Sequence, residues 1–246
     1  MPTRGVLYIR WGPRPNPRLD AEFKRSMDSL RQHHPDLPTH TAEVEPFPEG
    51  GCIPKSAMYD LSPFDETLFI DADTVVMGDL RFGFEQAARH GIAVCVCECP
   101  WARRYEYAMP PSEMVEYNSG VLFFSRRPDV EVLMREYHGL AHSVNSRTPY
   151  TNEQGQPAIT VPHDQCAFAM AVAARRFNPF VLPQNWNYRA RWQRVVCGPV
   201  RIWHDHDPPP PGVVERSRAA GAVAHGARWE VLAREAGSTP HGHAAG

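Results

Sequence analysis

The stretch that most constrains the fold is Leu68-Phe-Ile-Asp-Ala-Asp-Thr-Val-Val-Met77. Three apolar residues run straight into Asp71-Ala72-Asp73, and apolar character resumes at Val75. A short unbroken apolar run predicts a strand buried on both faces. Carboxylates at the carboxyl end of such a strand sit where open α/β sheets bind their ligands. A bend there lets Asp71 and Asp73 converge on a hard divalent cation, which oxygen ligands suit. A solvated turn closing the strand is the bland alternative.

The flanking pattern alternates strand and helix. Gly5 to Arg10, Thr39 to Val44, Ile92 to Cys97, Tyr117 to Phe124, Phe180 to Leu182 and Val200 to Trp203 are short apolar segments of strand length. Between them, Asp20 is expected to cap a helix with Phe23, Met27 and Leu30 on one stripe. Further helices are expected over Ile53 to Leu61, Asp79 to His90, from Pro128 along Val130, Leu133, Tyr137 and Leu140, and from Asp164 to Ala174. Alternating strands and helices imply an α/β fold, a mainly parallel sheet covered on both faces. Residues 143–159 read as a polar loop. Pro208 to Pro211 favour extended polyproline geometry, and beyond them one short helix is expected around Trp229 and Leu232.

The 246 residues suit one α/β domain over 1–206, with a partly flexible tail over 207–246, Pro-rich and then Ala/Gly/Arg-rich. A net charge of −2 gives no clear nucleic-acid signature. No apolar run has the length of a membrane span, and Met1-Pro-Thr-Arg-Gly5 lacks a signal-peptide core, so a cytoplasmic protein is expected. Cys95, Cys97 and Cys99 alternate along one strand face and read as reduced packing residues.

Lys55 lies near a helix start, an unfavourable place for a cation, which suggests an anionic partner; a solvated surface lysine is the alternative. Asn118-Ser119-Gly120 opens a strand, Asp164-Gln165 opens a helix, and His204-Asp-His206 ends the last strand.

These segments, in this order, resemble family 8 glycosyltransferases of the glycogenin-like type. Lys55 through Val76 looks like the family's helix and metal strand, Asn118-Ser-Gly120 like its Asn-Ser-Gly strand, and Asp164-Gln165 like its Asp-Gln helix start. Leu182-Pro-Gln-Asn-Trp-Asn187 is similar to its Leu-Pro…Trp-Asn turn, and His204 to its late metal histidine. The resemblance spans residues 5–206 and implies a GT-A fold, a single Rossmann-like domain with a mixed, mainly parallel sheet. It implies a nucleotide-diphosphate-sugar donor, with a UDP-sugar expected, and transfer to a hydroxyl acceptor with retention. It also implies a manganese ion, with magnesium as the alternative, on Asp71, Asp73 and His204. Carboxylates with imidazole suit manganese better than calcium. His206 shares a strand face with His204 and is a spare candidate.

On the same resemblance Lys55, Asp71, Ala72, Asp73, Ser119 and Gly120 bind the donor, and Asn118, Asp164 and Gln165 are the catalytic residues, Asp164 orienting the donor sugar or the acceptor or stabilising positive charge at the anomeric carbon. Asp164 is also a good helix N-cap, and Asn-Ser-Gly also suits a simple bend. Tyr8, Arg10 and Trp11 lie where the family binds base and ribose, although Tyr8 equally suits the core. The family's Lys-Pro-Trp after the late histidine is replaced by His204-Asp-His-Asp-Pro-Pro, so that the lysine's part is either taken by Arg189 or Arg191 or lost. The loop Trp101 to Tyr107, with Arg103 and Arg104, is the expected acceptor wall, facing a saccharide, a lipid-linked glycan, a protein or another hydroxyl compound. Phe69-Ile-Asp-Ala-Asp-Thr74 also resembles the first motif of haloacid-dehalogenase-like phosphatases, and a nucleotide-sugar-binding protein without transfer is a third reading.

Overall fold

The computed structural model describes residues 2–12, 15–97, 114–147, 149–151, 154–193 and 198–222. In chain order the elements are β1 (Arg4–Arg10), α1 (Pro17–His33), β2 (Thr39–Glu43), α2 (Met58–Leu61), β3 (Glu66–Ile70), β4 (Thr74–Val76), α3 (Arg81–His90) and β5 (Ile92–Val96). They continue with β6 (Tyr117–Ser125), α4 (Pro128–Ser143), β7 (Pro149–Thr151), β8 (Pro157–Ile159), α5 (Gln165–Ala174), β9 (Phe180–Val181), β10 (Ile202–His204) and α6 (Pro211–Ala222). The main sheet runs β2-β1-β3-β6-β5-β9. All its pairings are parallel except the two that β6 makes, with β3 and β5.

That single reversal builds the site. Because β6 runs against β3, its first residues lie beside the carboxyl end of β3. Ile70 pairs with Val121, and the Asp71 amide donates to the Gly120 carbonyl at 2.8 Å. Asn118-Ser-Gly120 is therefore laid against Asp71-Ala-Asp73. β10 pairs antiparallel with β4, His204 opposite Thr74, and brings the late histidine to the same corner.

Side chains along the central strands alternate between two buried clusters. Leu7, Ile9, Phe69, Leu122 and Phe124 pack with Tyr137 of α4 and Phe168 of α5 on one face. Val6, Tyr8, Leu68, Ile70, Val121 and Phe123 pack with Leu30 of α1 and Phe84 of α3 on the other. Each such fully buried side chain contributes about 1.5–3 kcal/mol.

Several local expectations are corrected. The cap of α1 is Asn16, whose Oδ1 accepts from the Leu19 amide at 3.2 Å, with Pro17 opening the helix; Asp20 lies in the first turn and pairs with Arg10. The helix expected over Ile53 to Leu61 is a 3₁₀ turn over Ile53–Ala57 that passes into α2. The β7–β8 hairpin occupies part of the expected loop at 143–159. Pro211 opens α6 instead of extending a polyproline run, and Val213 and Val214 pack against Met77, Tyr188, Val200 and Trp203. The helix expected around Trp229 lies outside the described residues, as does Cys99. Cys52, Cys95, Cys97 and Cys166 are free thiols. Among the described residues no helix is long and apolar enough to cross a membrane.

Candidate metal and sugar-nucleotide site

At the carboxyl end of β3, one ligand atom from each of Asp71, Asp73 and His204 lies within 4.8 Å of the others. His204 Nε2 is 3.4 Å from Asp73 Oδ1 and 3.8 Å from Asp71 Oδ2. Metal–ligand bonds of about 2.1 Å put neighbouring ligands about 3 Å apart, so a small closure completes the set. The ring is held from behind: Nδ1 lies 2.7 Å from Oδ1 of the fully buried Asn187. An amide oxygen only accepts, so Nδ1 donates to it and Nε2 is the ring atom turned towards the two carboxylates.

Gly120 makes that approach possible. A Cβ there would lie 2.4 Å from His204 Cε1 and 2.5 Å from Asp71 Oδ2. The open face of Gly120 is expected from sequence to admit a ligand to the backbone, whereas the groups that fill it are the two candidate metal ligands themselves.

Lys55 supplies the nearest cation. It is 4% exposed, and its Nζ lies 3.2 Å from Asp71 Oδ2 and 3.5 Å from Asp164 Oδ1. The glycine at 51 sets this up. With φ at +85°, it lets the chain pass so close to Pro162 that a Cβ would fall 1.9 Å from the Pro162 carbonyl oxygen. The Cys52 amide donates to that carbonyl at 3.1 Å, tying the Lys55 turn to the segment that leads into Asp164. The misplaced cation of the sequence thus has two anionic partners.

Asp164 occupies the N-cap position of α5, yet its side chain makes no capping bond. It turns inward instead, accepting from the Tyr137 hydroxyl through Oδ2 and facing Lys55 through Oδ1. Gln165 Nε2 donates to Glu116 Oε1 at 2.7 Å. Asn118 Oδ1 accepts from the Gly120 amide at 2.9 Å, while Asn118 Nδ2 and Ser119 Oγ are buried without a partner.

The electrostatics ask for a cation. Lys55 faces Asp71 and Asp164, and Asp73 adjoins them, so three carboxyl groups crowd round one ammonium. Burial, reinforced by Asp73 and Asp164 and opposed by Lys55 and His204, pushes the Asp71 carboxyl above its ordinary value. Burial also acts to raise Asp73, but His204 and His206 outweigh it and hold that carboxyl low. Burial alone would lower Lys55; Asp164 and Asp71 overcome it and keep the ammonium charged. A divalent ion fits this donor set and this charge. His206 is largely exposed, with Nδ1 3.1 Å from Glu22 Oε1 and 3.5 Å from Asp73 Oδ2, beside Asp73 but outside the three-ligand cluster.

The expected base-binding residues fare unevenly. Tyr8 is 1% exposed, its hydroxyl 3.0 Å from Ser26 Oγ and its ring edge-on to Phe23, so it has no face to offer a base. Alternation along β1 sends it towards α1. Arg10 pairs with Asp20 over the Phe23 ring, and the Trp11 indole donates to the Gly51 carbonyl at 3.0 Å. The Arg191 guanidinium stacks over Trp192 at 5.1 Å. The proposed acceptor wall, Trp101 to Tyr107, lies outside the described residues. Asn187, Tyr137 and Glu116 are not singled out by the sequence. Asn187 stands inside the Leu182–Asn187 turn, and Tyr137 reads only as part of a core stripe.

The architecture matches solved glycosyltransferases. Mouse xyloside xylosyltransferase 1 superposes with a TM-score of 0.53 at 16% identity, over 84% of this chain and 99% of its own. The galactosyltransferase LgtC, solved with donor and acceptor sugar analogues, gives 0.52 at 10% identity, over 91% and 97%. The bifunctional glycosyltransferase WbbM gives 0.50 at 12% identity, over 86% of this chain and 47% of its own. No protein-family model matches the chain, and no curated protein matches it in sequence. Identities this low speak for the fold alone: the chain has the mixed, mainly parallel GT-A fold of these glycosyltransferases.

Proposed function

We propose that this protein is a metal-dependent glycosyltransferase that moves a sugar from a nucleotide diphosphate, a UDP-sugar being the expected donor, to a hydroxyl acceptor with retention. The observation that carries this reading is the convergence of Asp71, Asp73 and His204 at the carboxyl end of β3, with Lys55 and Asp164 beside them. A divalent cation, manganese in preference to magnesium, would be held by those three side chains and would supply Lewis acidity to the leaving diphosphate.

Lys55 adds positive charge on the phosphate side and holds Asp71 and Asp164 in register. The unpartnered Asn118 amide and Ser119 hydroxyl offer hydrogen bonds to sugar hydroxyls, and a sugar that accepts and donates there relieves two buried unsatisfied groups. The fixed carboxylate of Asp164 opposes positive charge that develops at the anomeric carbon as the diphosphate departs. A saccharide, a lipid-linked glycan, a protein or another hydroxyl compound serves as acceptor.

The phosphatase reading loses support from the same features. Its motif belongs on a first strand with a late acidic pair, whereas Asp71 follows the third strand and the late partner is histidine.

The test is release of nucleoside diphosphate from a panel of nucleotide sugars with manganese. Turnover is expected from at least one donor, lost on chelation and abolished in Asp71→Ala and Asp73→Ala with the fold intact. Full activity of either variant in chelator overturns the metal assignment. Tight nucleotide binding without any turnover favours the binding-protein reading, and hydrolysis of a generic phosphate ester favours the phosphatase.

A further inference from the structure

Glu116 is a carboxylate 3% exposed, two residues before Asn118 on the approach to β6. Its backbone carbonyl accepts from the Cys97 amide at 2.8 Å, which fastens it to the end of β5. Its Oε1 accepts from Gln165 Nε2 at 2.7 Å, and the same nitrogen lies 3.7 Å from Cys97 Sγ. A primary amide nitrogen has two hydrogens, and both are engaged here by groups that accept. The Glu116 oxygen accepts from the amide nitrogen, which fixes the opposite orientation of the carbonyl oxygen. Among the described residues no donor reaches Gln165 Oε1, and Gln165 keeps partial exposure beside the buried Asp164.

We propose that Glu116 is a positioning residue that locks the Gln165 carboxamide, with Cys97 Sγ as its second contact, so that Gln165 meets the donor sugar only as a hydrogen-bond acceptor. This rests on the transferase reading given above, with Gln165 at the sugar. Gln165 would then select a sugar hydroxyl that donates, and its carbonyl dipole would add to the negative field of Asp164 near the reacting carbon. A freely rotating amide would present either end and lose that preorganisation.

Two variants separate positioning from folding. Glu116→Leu removes the acceptor, and Glu116→Asp keeps a carboxylate that accepts from Gln165 without an amide that could donate to it. With the donor that wild type uses, Glu116→Leu should lower kcat by at least ~10-fold, since small misplacements at a reacting centre cost up to 10²-fold. Nucleotide-plus-manganese affinity should stay within about 2-fold, because those groups bind at Asp71, Asp73 and His204. Glu116→Asp should recover part of the loss. Wild-type kcat in Glu116→Leu overturns the proposal. So does equal loss of turnover and nucleotide binding, which marks a structural residue, and so does failure of Glu116→Asp to rescue.

A readout free of turnover is the side-chain ¹⁵N resonance of Gln165, assigned by its loss in Gln165→Ala. Two protected, slowly exchanging amide protons are expected in wild type and Glu116→Asp, and fast exchange in Glu116→Leu. Fast exchange in wild type overturns the positioning role whatever the activity. Absence of turnover with every donor, alongside a protected amide, counts against the transferase reading alone.

Discussion

His204 and Asn187 meet back to front: the imidazole gives its Nδ1 proton to the buried amide oxygen at 2.7 Å and turns Nε2 towards Asp71 and Asp73. The two residues come from different pieces of chain. Asn187 follows the 3₁₀ turn Gln184–Trp186, and His204 ends β10. They are brought together because the Tyr188 amide donates to the Ile202 carbonyl and the His204 amide to the Tyr188 carbonyl, each at 2.8 Å.

Asn187→Ala should therefore weaken metal binding without removing a ligand. Loss of an outer partner of a metal histidine typically costs 10–100-fold in affinity, and that range is expected for manganese titrated into the purified chain. Asn187→Asp, which keeps an acceptor for Nδ1–H, should stay nearer wild type. Wild-type affinity in Asn187→Ala would mean that the ring is oriented by packing alone.

Gly120 gives a sharper test. The His204 and Asp71 atoms that a Cβ would strike are themselves held, His204 by Asn187 and Asp71 by Lys55, so neither can swing away freely. Gly120→Ala should cost about 1–3 kcal/mol in denaturant unfolding, as overpacking of a filled interior does. It should also abolish high-affinity manganese binding. Gly139, in the middle of α4, is the control, because a Cβ added there would meet no atom within 4 Å. Gly139→Ala should stabilise by about 0.5–1 kcal/mol and leave metal binding unchanged. Equal metal affinity in both variants would remove the steric argument.

Much of this site is legible in the sequence, and the rest is hidden for identifiable reasons. Asp71-Ala-Asp73 can be picked out because an apolar run stops at two carboxylates at a strand end; a solvated turn gives the same local pattern, and only the later segments in order weigh against it. The direction of β6 cannot be read, because nine consecutive buried residues look the same whichever way the strand runs. Its reversal is what sets Asn118 beside Asp71. Tyr8 lies near the end of β1, where base binding is expected, but alternation sends it to the α1 face, where Ser26 takes its hydroxyl. Asn16 and Asp20 are both good caps, and the proline at 17 is the signal that favours Asn16. Glu116 and Asn187 lie outside helices and strands. Tertiary contacts alone place them, so local sequence carries no mark of their partners.

Lys55 makes the last prediction, because its charge and its burial pull in opposite directions. An ammonium 4% exposed is tolerated only through Asp71 and Asp164, at 3.2 and 3.5 Å. Lys55→Met fills similar volume but leaves two carboxylates, Asp164 buried and Asp71 partly so, without their cation. Breaking a buried ion pair on one side costs about 3–5 kcal/mol, and a loss of that order is expected in chelator. On the proposed function manganese would neutralise Asp71, so saturating metal should return part of the loss. Adding Asp164→Asn removes the second charge while keeping an acceptor for the Tyr137 hydroxyl. The double variant should regain more than half the lost stability in chelator, a non-additivity that two independent surface residues would not show. Additive losses, or a Lys55→Met variant as stable as wild type without metal, would sever Lys55 from both carboxylates and with it the link between the metal corner and the sugar-facing helix.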